Sequence, residues 1–412
     1  MENLVRRLLT LAPPGYAADI NPAFSPDGRT LAFIRGPDRA GEVYLLPLDQ
    51  NWSASGQPRR LTYWNRVTLN PAWTTDGREI IVASGEFEHS RLWRVPVSGR
   101  GQASMIASAG DFATLPAIAR DSRLAFTRAR SNVSIWTLDL STFPNPGTGR
   151  RPWPASSNLN DHSPRFSPEG RRVAFVSTRS GTHQVWIANA DGSAAFQLTS
   201  VPFDFVGSPN WSPDGSTIVF CAMNKGHWEV YATTSAGGPP RRLISSSGQD
   251  AVASFSRDGK WIYFTSNRSG EFQIWRMPAQ GGEAVQLTRR GGRVARESTD
   301  GRYLYVATLP RDGRCTLWRM SPAGGEETQI LEAVWPFAWD LTSSGIYYED
   351  MPGSDGLRAI YFYSFATGRS TQILETRLRG GQGLTISPDG NTLLHDESTE
   401  MAGDTMVLEN FR

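Results

Sequence analysis

One phrase returns along this chain at a nearly constant interval, and that interval limits the possible folds more than any other feature. It reads Pro22-Ala-Phe-Ser-Pro-Asp27-Gly28, Pro71-Ala-Trp-Thr-Thr-Asp76-Gly77, Pro164-Arg-Phe-Ser-Pro-Glu169-Gly170 and Pro209-Asn-Trp-Ser-Pro-Asp214-Gly215. It recurs as Ala253-Ser-Phe-Ser-Arg-Asp258-Gly259 and Leu384-Thr-Ile-Ser-Pro-Asp389-Gly390. Worn copies centre on Asp121-Ser122, Asp300-Gly301 and Ser344-Gly345, which brings the count to nine. The glycine-equivalent positions step by 49, 45, 48, 45, 44, 42, 44 and 45 residues. A large residue follows each of them: Tyr44, Trp93, Trp136, Trp186, Tyr231, Trp275, Trp318, Tyr361 and Met406, seven of the nine at an offset of 16. A fixed period of this length is the mark of a repeat architecture.

Residues 160–200 show what one repeat can form. His162 to Ser167 alternates and runs into Ser-Pro-Glu-Gly, where Pro168 fixes φ and Gly170 supplies the positive φ of a tight turn. Val173-Ala174-Phe175-Val176 reads as a second strand, apolar on successive residues because both of its faces are covered. A polar loop leads to a third strand around Val185-Trp186-Ile187, Asp191-Gly192 turns the chain, and Phe196-Gln197-Leu198-Thr199 makes a fourth. Four antiparallel strands in about 45 residues is one propeller blade, and packing of large aromatics between blades accounts for the 14 Trp.

The expected fold is therefore all-β: a single β-propeller of four-stranded antiparallel blades over residues 1–412. Nine repeats are counted, with eight blades as the alternative if a worn unit, around Asp121 or Ser344, is irregular. Arg6-Arg7-Leu8-Leu9-Thr10 reads like the fourth-strand segments Arg59-Arg60-Leu61-Thr62 and Arg241-Arg242-Leu243-Ile244. The last repeat stops after its third strand, so the N-terminal strand is expected to complete the final blade and remove the exposed edge.

Composition narrows the function classes. A net charge of +2 lacks the concentrated positive charge that phosphate backbones require, so nucleic acid is not expected as a partner. Apart from Lys225 and Lys260 the basic residues are arginines, a bias that suits carboxylate recognition but reads equally as codon preference. Cys221 and Cys315 fall in non-neighbouring repeats and make no disulfide framework. No apolar run has the length of a membrane span, and Met1–Arg7 does not resemble a secretion signal. On the sequence as it stands the compartment is cytoplasmic; it is periplasmic if the chain belongs to a larger membrane-anchored regulator.

The Ser-Pro-Asp-Gly hairpin, the Ile/Val-Trp/Tyr third strand and the Arg-Arg-Leu-Thr or Gln-Leu-Thr fourth strand resemble the TolB-like propeller repeats. Ser266-Asn-Arg-Ser-Gly-Glu-Phe-Gln-Ile-Trp275 and the ending Met406-Val-Leu-Glu-Asn-Phe-Arg412 resemble the C-terminal sensory propellers of CadC-like winged-helix regulators and Ser/Thr kinases. That likeness implies a sensor or interaction module. It departs from the pattern in having no effector domain ahead of the first strand, so a DNA-binding role is not implied.

Chemistry is sparse. Propellers cap some serine peptidases, but the Gly-x-Ser-x-Gly elbow that such a hydrolase needs is absent. The histidines, His89, His162, His183, His227 and His395, show no metal-ligand spacing and read as solvated loop residues. Asp19, Asp161 and Asp250 occupy one equivalent position, three residues before the Pro/Ala of the innermost strand. There they ring the mouth of a central tunnel that accepts a cationic ligand, a peptide segment or a divalent cation, or else each caps its own turn. The expected function is non-enzymatic binding of a protein or small-molecule ligand by a monomer, with no catalytic residues, metal or cofactor. The alternatives are a TolB-like envelope accessory protein and a propeller enzyme, a lyase or hydrolase, with a tunnel-mouth site.

Overall fold

The computed structural model describes residues 7–13, 18–36, 41–64, 68–85, 90–110, 112–121, 123–141, 149–203, 205–224, 227–244, 246, 248–308, 314–351, 358–376 and 381–411. Among these the only helix is a single 3-10 turn at Ala107–Ala109. Everything else regular is antiparallel β. Seven sheets have four strands in chain order, beginning with Ala18–Phe24, Thr68–Trp73, Asp161–Phe166, Phe205–Trp211, Asp250–Phe255, Val294–Glu297 and Trp339–Leu341. An eighth, five-stranded sheet draws on Ala113–Ile118, Leu124–Asp139, Arg151–Pro152, Leu384–Ile386 and Thr392–Leu408.

The repeated phrase makes the first hairpin of each sheet by side-chain chemistry. In the first repeat Ser25 Oγ donates to Asp27 Oδ1 at 2.6 Å and accepts from Thr30 N at 2.9 Å, while Arg29 N donates to Asp27 Oδ1 at 3.0 Å. Gly28 supplies φ +69° where the chain reverses. The same three bonds recur at Ser212/Asp214, Ser256/Asp258, Ser298/Asp300 and Ser387/Asp389. Hydrogen bonds from Ser25 and Arg29 hold Asp27 below the ordinary carboxylate range, so the turn is built around an ionised Asp.

The outer edge also follows the motif. Thr199 Oγ1 accepts from Val185 N at 2.9 Å and donates to Gln184 Oε1 at 2.8 Å, and Thr288 repeats this with Ile274 N and Gln273. These bonds explain why the fourth strand reads Gln-Leu-Thr. Its threonine finishes the third strand's unpaired backbone.

Contacts divide the chain into two compact units, Met1–Ser131 with Met401–Arg412, and Asn132–Glu400. In the second, Leu384–Ile386 and the Thr392 end of its partner strand join the Asp139 end of Leu124–Asp139 and Arg151–Pro152 to make a sixth sheet beside the five complete ones. Six apolar clusters fill the six junctions between consecutive sheets. The last of them brings Ile135, Trp153 and Leu394 of the sixth sheet onto Phe166, Val173 and Phe175 of the first. Succession is therefore cyclic within this unit. The first unit has its own cores, one joining its first two sheets through Ile34, Leu45, Trp73 and Val82, another joining Ile81 and Leu92 to Leu124 and Phe126.

Two expectations are corrected here. The nine repeats do not give nine sheets in one ring: eight sheets form among the described residues, because the third and ninth repeats share one. The worn turn at Asp121 is the irregular unit, whereas the one at Ser344 belongs to a regular four-stranded sheet. Among the described residues the N-terminal segment does not complete the final blade either. Arg6 lies outside the described residues, Arg7–Thr10 form no strand, and the outer places beside Thr392–Leu408 are taken by Leu124–Asp139 and Arg151–Pro152. Those strands prevail because Trp153, 2% exposed, follows directly and seals the junction, with its Nε1 donating to Ala190 O at 3.0 Å.

Trp153→Ala is expected to lower unfolding stability by ~3–5 kcal/mol, the range for deleting a buried aromatic. Leu11→Ala, at a side chain 78% exposed, is expected to stay within about 0.5 kcal/mol. Urea unfolding of the two variants against the parent checks this; equal effects would refute the sealing role of Trp153.

Candidate functional site

Each of the six sheets in the second unit offers one residue at the same place in its innermost strand, just before the large residue of the turn phrase. These are Arg165, Asn210, Ser254, Arg296, Asp340 and Thr385. In three of the strands a register shift precedes the position, between His162 and Arg165, Gly207 and Asn210, and Ala251 and Ser254. Within each shift sits a residue with positive φ: Ser163 at 53°, Ser208 at 51°, Val252 at 48°. A bulge of this kind re-aims the side chain that follows it.

The six positions are linked strand to strand. Trp211 Nε1 donates to Arg165 O at 3.0 Å, Asn210 Nδ2 to Ala253 O at 2.9 Å, and Ser254 Oγ to Ala295 O at 2.7 Å. Arg296 then reaches Asp340 Oδ1 at 3.1 Å, Thr385 Oγ1 donates to Asp340 Oδ2 at 2.9 Å, and Phe166 N donates to Thr385 Oγ1 at 3.3 Å. The circuit closes.

Asp340 is its electrostatic centre. Besides Arg296 and Thr385 it takes Arg165 Nη1 at 3.0 Å and the backbone N–H groups of Ile386 and Leu341 at 3.2 and 3.0 Å. Burial pushes the Arg165 guanidinium's pKa down while Asp340 opposes the shift; an arginine nonetheless stays charged. Arg296 lies over the Trp339 ring at 5.0 Å, and its Nε has no hydrogen-bond partner among the described residues. Two guanidiniums against one carboxylate leave this floor with net positive charge. All six residues line a cavity of 540 Å³ whose walls are the hairpin turns, including Pro168, Pro213, Thr299 and Pro388. A smaller space of 20 Å³ on the Ser163, Ser208 and Val252 side shares Arg165 and Arg296 with it.

The three carboxylates singled out from the sequence lie elsewhere. Asp161 is fully buried and bonds Arg179 Nη2 at 2.9 Å and Ser157 Oγ at 2.7 Å. Asp250 bonds Arg268 Nη2 at 2.8 Å and Ser246 Oγ at 2.6 Å. Asp19, in the first unit, holds Arg35 through two bonds of 2.6 and 2.7 Å. In each case the arginine also stacks on two rings of its own sheet, Phe175 and Trp186, Phe264 and Trp275, or Phe33 and Tyr44. None of the three lines the cavity above the polar circuit.

Three of the histidines expected as solvated loop residues are instead buried. His162 and His183 are buried, their rings 5.4 Å apart and both against Phe205. His395 is fully buried and His227 is exposed, whereas His89 lies outside the described residues. Among the described residues no group of three or more His, Cys, Asp or Glu could hold a metal. Cys221 and Cys315 are both buried.

A second electrostatic feature was not foreseen: buried carboxyls where the sixth sheet closes. Burial raises Glu349 to about 8 against the pull of Arg358, with Asp396 and Glu397 adding to the rise. Burial raises Glu397 to about 7 against Arg150, and His395, 3.5 Å from Glu397, is lowered to about 3 by burial. Glu349's folded-state pKa stands above the ordinary value of 4.5, so its stabilising contribution is complete below pH 4.5 and is lost as pH rises toward 8. The midpoint of thermal unfolding of Glu349→Gln relative to the parent is therefore expected to be several degrees more favourable at pH 8 than at pH 5. A difference that does not change with pH would refute it.

Comparison with known proteins finds a propeller family in the second unit. Residues 162–335, inside the second unit, match the TolB beta propeller domain. The chain is 39% identical over 126 residues to the Tol-Pal system protein TolB of Bordetella pertussis, covering 30% of this chain and 28% of that protein. It is 28% identical over 156 residues to an uncharacterized protein of Agrobacterium fabrum, covering 37% and 51%. The chain thus spans about half or less of the length of these curated relatives. The crystal structure of TolB from Acinetobacter baumannii superposes with a TM-score of 0.47 at 19% identity, over 82% of this chain and 81% of that one. The family match is thus a likeness of residues 162–335 to the TolB beta propeller domain.

Proposed function

We propose that this protein is a non-catalytic recognition propeller: its second unit is a six-bladed ring, and the cavity on the hairpin side receives a segment of a partner protein in the cell envelope. The observation that carries the reading is the polar circuit. Six residues from six sheets, far apart in sequence, converge on the floor of one 540 Å³ space. That volume lies within the ~300–1,000 Å³ typical of ligand sites. Identity to a Tol-Pal system protein over 126 residues supports an envelope setting, and with it a periplasmic location. The sensory-module reading uses the same surface; the matched relatives favour the envelope reading over it.

Thr299 lies on the exposed rim of the cavity, so Thr299→Trp narrows the mouth without disturbing the core. Cross-linked capture from envelope fractions of the native host is expected to recover Tol-Pal components with the parent chain and to lose them with Thr299→Trp. Equal recovery by both would overturn the role of the cavity. Recovery of no Tol-Pal component by either would overturn the envelope reading.

A further inference from the structure

We propose that the floor of this cavity is a carboxylate site, with Arg165 and Arg296 as its two forks. The inference deepens the reading of the cavity as the binding surface and rests on it for the direction of approach.

The donor balance carries the argument. A guanidinium has five N–H donors. Arg165 spends one on Asp340, and no other hydrogen bond from its side chain is described. Arg296 likewise spends one on Asp340, and its Nε is unsatisfied. Both side chains are only 12% exposed, so their spare donors have little access to bulk water. Buried donors of this kind call for an acceptor.

Asp340 cannot be that acceptor, since its two oxygens already serve Arg165, Arg296, Thr385 and the backbone of Leu341 and Ile386. Those bonds fix it in place, and Asp340 in turn keeps the two arginines together. The two carboxylates of the wall are held in place by neutral donors. Glu297 accepts from Arg257 N and, at 3.1 Å, from Tyr263 Oη, and Asp389 is held by Ser387 and Asn391 in its own turn. The lining as a whole carries three arginines, Arg165, Arg257 and Arg296, and three carboxylates, Glu297, Asp340 and Asp389, so the excess of one positive charge is confined to the floor, where two planar forks share Asp340. That geometry matches a carboxylate's paired oxygens.

A carboxylate can arrive as a free acid or as the C-terminus of a peptide chain, and the test separates these sources. Succinate is titrated into the full chain, followed by calorimetry and by thermal unfolding, against succinamide and against sodium chloride at equal ionic strength. An Ala-Gly-Ser-Gly-Ala peptide with a free C-terminus is compared with its amide. Succinate or the free peptide is expected to bind and stabilise, and succinamide and the amide to do neither. Binding by succinate identifies a free-acid site; binding by the free peptide alone identifies a chain-terminus site. Arg296→Lys keeps the charge but loses the fork, and is expected to weaken binding roughly tenfold or more. Should Arg296→Lys fail to fold, Asp340→Asn gives a second readout: added acetate should raise its unfolding temperature more than that of the parent.

No response to either carboxylate beyond the salt control, or an equal response to the neutral analogues, overturns the proposal. Carboxylate binding with no Tol-Pal capture leaves this site standing and removes the envelope reading; capture blocked by Thr299→Trp with no carboxylate response does the reverse.

Discussion

The second unit depends on a circle of hydrogen bonds that joins its six innermost strands where they crowd together. Inner strands at the axis of such a ring are too close for large apolar side chains and too buried for free polar ones. A buried donor left unpaired costs about 1–3 kcal/mol, so six polar residues are tolerable there only if each finds a partner on its neighbour. Asn210 and Ser254 solve this by donating to the next strand's backbone, and Asp340 by collecting donors from both sides. The outer parts of the sheets pack by apolar contact. The axis is held by directional bonds, which fix the order of the sheets as well as their spacing.

Closing that circle brings distant parts of the chain together. Arg150 and Glu397, which form an ion pair, are 247 residues apart. The hairpins elsewhere join residues some sixteen apart, so closure spans about four further doublings of loop length, or roughly 2–3 kcal/mol of extra entropy. Burying Ile135, Trp153 and Leu394 at the junction outweighs this, since each such side chain contributes ~1.5–3 kcal/mol. Glu397, paired with Arg150 on the closing sheet, is itself buried, and burial raises its pKa.

Much of this was legible in the residues. The turn phrase and its spacing give the strands and their order, because Ser, Asp and Gly make the hairpin by local bonds that need no tertiary context. What the phrase cannot encode is which sheet a strand joins, and so the third and ninth repeats, each with its own turn, merge unannounced. Asp19, Asp161 and Asp250 share one position for a reason that is local too: each pairs with an arginine at the end of its second strand, Arg35 within the strand and opposite Asp19, Arg179 and Arg268 two residues past it. That partner is visible in Thr178-Arg179-Ser180-Gly181 and Asn267-Arg268-Ser269-Gly270 once the strands are registered, but not before.

The position of the polar circuit was also written in the repeat, in the column after the proline. It reads Ala23, Ala72 and Ala117 in the three repeats of the first unit, and Arg165, Asn210, Ser254, Arg296, Asp340 and Thr385 in the second. The neighbouring tryptophan link does not discriminate, for Trp73 Nε1 donates to Ala23 O at 3.0 Å as Trp211 does to Arg165 O. The column does. A methyl group cannot bridge to an adjacent strand or carry charge, so the alanine repeats build sheets and nothing more at that place. The change from alanine to polar marks both the boundary between the units and the residues that line the cavity floor. It also sets the charge of that floor. The repeat's conspicuous aspartates are neutralised within their own sheets by arginines under 3 Å away, whereas in the column two arginines share a single aspartate.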